Sequence, residues 1–187
     1  MLRRRYTKDC GNGPRYVLAE HVRNEAGFGG YDPSLSAVNG KRSTLRTIDA
    51  MAVDLWPSGG NAIHGFEVKV SRSDWLAELR DPTKAEAFMR YVDHLWLVVP
   101  DAAIVRDDLP DGWGLLAGVG SLRVRRRAPR LDPEPMPRSM QAALARAVAK
   151  TAVQEVGRAN TAQPAHHLHP QASPTPPRKE SPSCPGT

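Results

Sequence analysis

Cysteine is nearly absent from this 187-residue chain: Cys10 and Cys184 are its two, one near each end. That excludes a disulfide framework and a paired-cysteine zinc pattern. No apolar run approaches the roughly 20 residues needed to cross a membrane. Met1-Leu2-Arg3-Arg4-Arg5 is basic, but Tyr6-Thr7-Lys8-Asp9-Cys10 after it lacks the apolar core of a secretory signal. A cytoplasmic protein with no membrane partner is expected. Large apolar residues are also scarce after residue 159. Asn160 to Thr187 holds seven prolines and three histidines, His166, His167 and His169. Such a segment buries too little apolar surface to offset its ordering entropy, so it reads as a disordered tail. With 40% hydrophobic residues overall, the rest suffices for one core. The expected organisation is a basic extension over 1–13, a single domain over 14–158 and a Pro/His-rich tail over 159–187.

The net charge of +6 is unevenly spread. Residues 1–50 carry nine Lys/Arg against five Asp/Glu, residues 51–119 six against eleven, and residues 120–158 nine against three. Basic flanks suit a polyanion, and an acidic middle suits a cation. Solvated faces of many proteins look the same, so charge alone favours a nucleic-acid partner only modestly.

Along the chain, Pro14 and the spacing of Val17, Leu18, Val22 and Ala26 predict a helix over 15–26, ended by Gly27, Gly29 and Gly30. Residues 31–43 read as a loop. Thr47 to Trp56 and Ile63 to Val70 predict two strands around the Ser58-Gly59-Gly60-Asn61 turn. A helix over 74–79 is capped by Ser71 or Ser73, with Trp75, Leu76 and Leu79 inward. A second helix starts at Asp81-Pro82 and runs to about Tyr91. His94 to Val99 is a strand apolar on both faces. Two short strands over 114–119 and 122–127 and a helix from Arg138 to about Val156 complete an α/β fold: a mixed central sheet flanked by helices, in three layers.

The stretch from Arg46 to Lys69 carries the chemistry. Asp49 lies between Ile48 and Met51, and a lone charge facing a core is costly without a partner. Strand side chains alternate, so Glu67 and Lys69 share one face while Phe66, Val68 and Val70 take the other. The hairpin brings Asp49 close to Glu67 and Lys69, in a pocket expected to open to solvent. Two carboxylates can hold Mg2+, with Mn2+ as a substitute, and the carbonyl of Val68 offers a third ligand. Such a metal neutralises a phosphodiester and acidifies bound water; Lys69 then orients or deprotonates that water, or stabilises the phosphate. The bland alternative is an ordinary Glu67–Lys69 salt bridge. Asp54 reads as a charge at a hairpin end, and His64 and His94 as structural or exposed.

Asp49, then Glu67-Val68-Lys69 across a hairpin, then a helix, resembles the PD-(D/E)XK nuclease superfamily. Glu67 to Trp75, Lys84, Tyr91 and Asp93 to Pro100 resemble more narrowly its MmcB-like DNA-repair group. The likeness covers residues 14 to 128. It departs from the superfamily pattern at the proline before the acid, where Thr47-Ile48 stands. The resemblance implies a restriction-endonuclease-like fold, Mg2+ dependence and cleavage of nucleic acid. It makes Asp49 and Glu67 metal ligands, Lys69 the catalytic lysine, and Glu20, on the expected first helix, a further ligand. Ser71 and Ser73 read as caps or phosphate contacts, and Lys84 as a backbone contact. Arg123, Arg125, Arg126 and Arg127 read as a nucleic-acid track or as a charged edge that discourages strand pairing.

The expectation is a metal-dependent nuclease acting on DNA, with RNA not excluded, in bacterial or phage repair, recombination or defence. Enzymes that cut both strands often pair, so a homodimer is one expected form. The alternatives are a catalytically silent nucleic-acid-binding module on the same fold and a protein-interaction adaptor working through the proline-rich tail.

Overall fold

Among the described residues six strands form one sheet, and the apolar run from His94 to Val99 lies inside it. The structure, a computed structural model, describes residues 1–7, 11, 13–24 and 45–162. In chain order the elements are α1 (Leu2–Tyr6), β1 (Tyr16–Arg23), β2 (Thr47–Asp54), β3 (Ile63–Val68), α2 (Arg72–Arg80), α3 (Thr83–Met89), β4 (His94–Val99), β5 (Trp113–Ala117), β6 (Arg123–Arg126) and α4 (Arg138–Ala162). The strands lie across the sheet in the same order. Pairs β1–β2, β2–β3 and β5–β6 are antiparallel; β3–β4 and β4–β5 are parallel. A parallel neighbour needs a long crossover, and α2 with α3 supplies it between β3 and β4. The protein is therefore α/β, with a mixed sheet flanked by helices.

Strand alternation sorts the core into two layers. Leu95, Leu97, Val99 and Leu115 pack with Trp75, Ala85, Phe88, Met140 and Ala147 of the three longer helices. Phe66, Trp96, Val98 and Leu116 pack on the other face with Tyr6 of α1, Leu18 and Leu122. The N-terminal segment that reads as an extension thus places a short helix against the sheet.

The helix expected over 15–26 is a strand instead, β1, within the described residues. Leu18 and Ala19 are neighbours buried in opposite layers, as strand alternation requires, but the alternation does not run through the whole segment. His21, with φ 52°, sits in the left-handed region that costs a non-glycine residue energy. Around it the alternation resets, since Ala19 and Val22 both join the helix-side core. Pairing with β2 over seven residue pairs, Tyr16 with Asp54 through Arg23 with Thr47, decided the conformation. Other differences are smaller. α3 begins at Thr83 with Pro82 as cap and stops at Met89. Val70 is 71% exposed and Leu76 37% exposed rather than core. α4 runs on to Ala162 rather than ending near Val156. Gly27, Gly29, Gly30, the loop over 31–43, both cysteines and the three tail histidines lie outside the described residues, as does the tail from 163 onward.

Candidate functional site

Strands β2 and β3 pair with Ala50 opposite Phe66 as the last rung. One step further would set Asp49 beside Glu67, but there the backbone ladder stops. The Asp49 carboxylate crosses the gap and accepts the Val68 N–H at 2.8 Å. A side chain thus replaces a main-chain bond where the strands part. The next residues of β3 follow the alternation. Phe66 and Val68 enter the core on the α1 side, and Glu67 points to the helix side, 0% exposed. Lys69, just past the strand, stays in line because its N–H donates to the Val98 carbonyl at 3.0 Å.

The chain then turns into α2. Ser71 is its N-cap and accepts the Asp74 N–H at 3.2 Å, which satisfies one of the first-turn amides. Trp75 buries its ring, and its Nε1–H donates to Asp108 at 2.8 Å. Arg72 donates to the same carboxylate and to the Ile104 carbonyl. These contacts hold α2 on the sheet, and one turn on from Trp75 they bring Glu78 inward. Lys84 arrives from α3.

Four charged side chains close a ring. Glu78 Oε2 lies 2.7 Å from Lys69 Nζ and 3.2 Å from Lys84 Nζ. Glu67 Oε2 lies 3.0 Å from Lys84 Nζ and 3.5 Å from Lys69 Nζ. Glu67 Oε1 and Glu78 Oε1 are buried with no hydrogen-bond partner among the described residues. An orphaned carboxylate oxygen in the interior is costly, and a cation or water is what relieves it.

Electrostatics follow the packing. Burial, then the nearby Asp49 charge, pushes the Glu67 carboxyl up to about 7 despite Lys84. Burial works against the charge on both lysines. It is outweighed at Lys69 by the hydrogen bond to Glu78 and the charge of Glu67, and at Lys84 by the charge of Glu67 and its hydrogen bond. Both ammonium groups are held above their ordinary value, so neither is set up to accept a proton near neutrality.

The structure brings Asp49, Glu67, Lys69 and Lys84 together. It does not leave them in an open pocket: Lys69 is 7% and Glu78 9% exposed, with Glu67 beneath them. Lys84 is the more exposed member, at 26% of its side chain. Ser71 and Ser73 lie at the start of α2, their exposed hydroxyls 3.0 Å apart.

Glu20 is not in this group. It sits on β1 rather than on a helix, and its carboxylate is taken by the Arg3 guanidinium. That pairing outweighs burial and lowers its pKa. The expected metal-ligand position on a first helix therefore has no counterpart there.

Arg123, Arg125 and Arg126 stand on the exposed edge strand β6, and Arg127 follows it. Arg126 is in register with Leu115, which aligns with Leu97 and then Glu67. The arginines are therefore level with the acids but three strand spacings away, about 14 Å. Arg126 meets Asp111 at 3.2 Å.

Glu78 is the residue that sequence reading passed over. Its signal was present: it lies three residues after Trp75 on the buried stripe of a capped helix, where a lone acid demands a partner.

Mg2+ takes oxygen ligands and usually needs one or two protein carboxylates, the rest being water and substrate. Among the described residues no cluster of three or more His, Cys, Asp or Glu is arranged to hold a metal ion. The pair Asp49 and Glu67, with the orphaned Glu67 oxygen, fits the smaller requirement.

No family model matches the chain, and no curated protein matches it. A solved structure does: a protein of unknown function from Silicibacter pomeroyi, SPO1766. It is 19% identical, with a TM-score of 0.50 over 81% of this chain and 86% of that one. At that identity the likeness concerns the fold alone. No helix among the described residues is long and apolar enough to cross a membrane.

Proposed function

We propose that this protein is a metal-dependent nuclease of the PD-(D/E)XK type that hydrolyses phosphodiester bonds in DNA, in the cytoplasm. The observation that carries the reading is the fully buried Glu67 carboxylate with one oxygen unpartnered, beside Asp49 and two lysines. Asp49, Glu67 and the Val68 carbonyl would hold Mg2+, or Mn2+ in its place. When bound, such an ion neutralises the scissile phosphate and acidifies a coordinated water. Asp49 spends one oxygen on the Val68 N–H, which fixes its orientation. Lys69 and Lys84 remain cationic, so they act by charge: they draw the phosphate in and stabilise the extra negative charge of its pentavalent state. Repair, recombination or defence in a bacterium or phage suits such an activity.

The test is incubation of the full-length chain with single-stranded, duplex and branched DNA in Mg2+, Mn2+ or EDTA. Cleavage should need the divalent ion and should disappear in Asp49→Ala and Lys69→Ala while circular dichroism stays unchanged. Cleavage that survives EDTA, or none in any metal, overturns the reading.

One observation favours a second reading. Lys69 lies closer to Glu78 than to Glu67, and the ring is largely covered. A catalytically silent nucleic-acid-binding module would tolerate both. It predicts salt-sensitive DNA binding without turnover, weakened by replacing Arg123, Arg125 and Arg127.

A further inference from the structure

Four charged groups in the interior are a poor way to stabilise a fold. Well-packed apolar side chains of the same volume usually do as well or better, and the surrounding layer already supplies Trp75 and Phe88. The ring therefore calls for a reason other than stability, and its charge balance suggests one. With every group ionised, as at pH 8, Asp49 beside the ring and Glu67 and Glu78 within it bring three negative charges; Lys69 and Lys84 bring two positive ones. Without Glu78 the balance would be neutral. Each ammonium would then turn to the acids that remain, and a cation would have to displace one of them. With Glu78 present, its Oε2 takes Lys69 at 2.7 Å and shares Lys84 at 3.2 Å. Lys69 stands off from Glu67 at 3.5 Å. Among the described residues Glu67 Oε1 has no partner, and Glu78 Oε1 is likewise buried and unpaired.

We propose that Glu78 is the charge-setting residue of the site: by drawing Lys69 and sharing Lys84, it leaves Glu67 with a free oxygen and the cluster with one net negative charge for a divalent cation. This rests on the metal-dependent reading of Asp49 and Glu67. Glu78 is a positioning residue, acting through the lysines and not by touching the substrate. The same residue supports the nucleic-acid side of the site, because it helps to hold the partly exposed Lys84 ammonium in place where a phosphate would approach.

The experiment measures Mn2+ binding to the full-length chain by titration calorimetry and by the electron paramagnetic resonance signal of free Mn2+, at fixed ionic strength. Glu78→Gln, nearly isosteric, should weaken Mn2+ binding by about tenfold or more, because a full negative charge is removed from the buried cluster. Lys84→Met, which removes a competitor for Glu67, should tighten it severalfold. A general loosening of the fold cannot move the two variants in opposite directions. If the wild type binds Mn2+ and Glu78→Gln binds it within twofold as tightly, the role of Glu78 is overturned while the metal-dependent reading stands. If Glu78→Gln does not fold by circular dichroism, Lys84→Met decides: no tightening overturns the proposal. A wild type that binds no Mn2+ at millimolar concentration overturns both.

Discussion

Asp54 closes β2 and Glu67 lies one residue from the end of β3, and both carboxylates are buried, 2% and 0% exposed. Their surroundings differ in kind. Asp54 accepts from Arg15 Nη2 at 2.7 Å, from Arg15 Nε and from the Trp56 N–H at 3.0 Å. Burial alone would raise its pKa, but those donors outweigh burial and hold it below the ordinary value. Glu67 shares two lysines with another acid, keeps an oxygen unpaired, and titrates near 7. Asp54 is thus a finished structural contact, tying the start of β1 to the β2–β3 turn. Glu67 is a carboxylate with one oxygen that no described residue satisfies, the feature on which the proposed metal-dependent reading rests. Burial by itself does not distinguish the two; satisfaction of the oxygens does.

Function gives the sharpest way to break this contrast. Glu67→Gln should reduce metal-dependent cleavage by about a thousandfold or more, the scale expected when transition-state electrostatics are lost, and should leave the melting temperature at pH 8 unchanged or higher. Asp54→Asn should leave cleavage within a few fold. Single-turnover assays beside thermal melts measure both, and a large loss of cleavage in Asp54→Asn would erase the distinction.

Stability should show the opposite order. Asp54→Ala strands the Trp56 N–H and releases Arg15, which is partly exposed, so the expected loss is about 2 kcal/mol. Gly59→Ala attacks the same contact from outside, because a Cβ there would fall 2.0 Å from Asp54 Oδ2. The turn must shift to admit it, at a cost of about 1–2 kcal/mol. Urea denaturation of the two variants checks both values, and a neutral Gly59→Ala would show that the carboxylate is free to move.

The pH dependence carries opposite signs at the two acids. Glu67 is raised from 4.5 to about 7. The unfolded chain therefore loses that proton first, and this group lowers stability as pH climbs from about 4.5 to 7. Asp54 is depressed, so its contribution is present above about pH 4 and is lost as pH falls through the lower folded value. His64, pushed down to about 4 chiefly by burial, also costs stability as pH drops from 6.5 to 4, and so opposes the Glu67 slope. The difference in melting temperature between wild type and Glu67→Gln across pH 4–8 isolates the Glu67 part. A flat difference would contradict its raised pKa.

Much of the architecture was legible because local chemistry agreed with the fold. Ser58 to Asn61 demanded a turn, Ser71 a helix start, and the unbroken apolarity of His94 to Val99 a strand inside a sheet. The convergence of Asp49, Glu67 and Lys69 followed from alternation and one hairpin. β1 was not legible. The break at His21 interrupts its alternation, the apolar spacing also fits a helix, and pairing with β2 makes it a strand. Glu20 was misplaced with it, and the partner that occupies it, Arg3, is 17 residues away in another element.

The order of residues along the chain was enough to set which acids and which lysine share a sheet face, because the two-residue repeat of a strand is a local property of the backbone. It could not say that α2 would deliver a third carboxylate, that Lys69 would lie nearer to that newcomer than to Glu67, or that the group would be covered rather than open. Those outcomes depend on how a helix docks on a sheet, here through Trp75, Arg72 and Asp108. Docking is decided by contacts between segments distant in sequence, whose summed packing and electrostatic energies no local pattern contains.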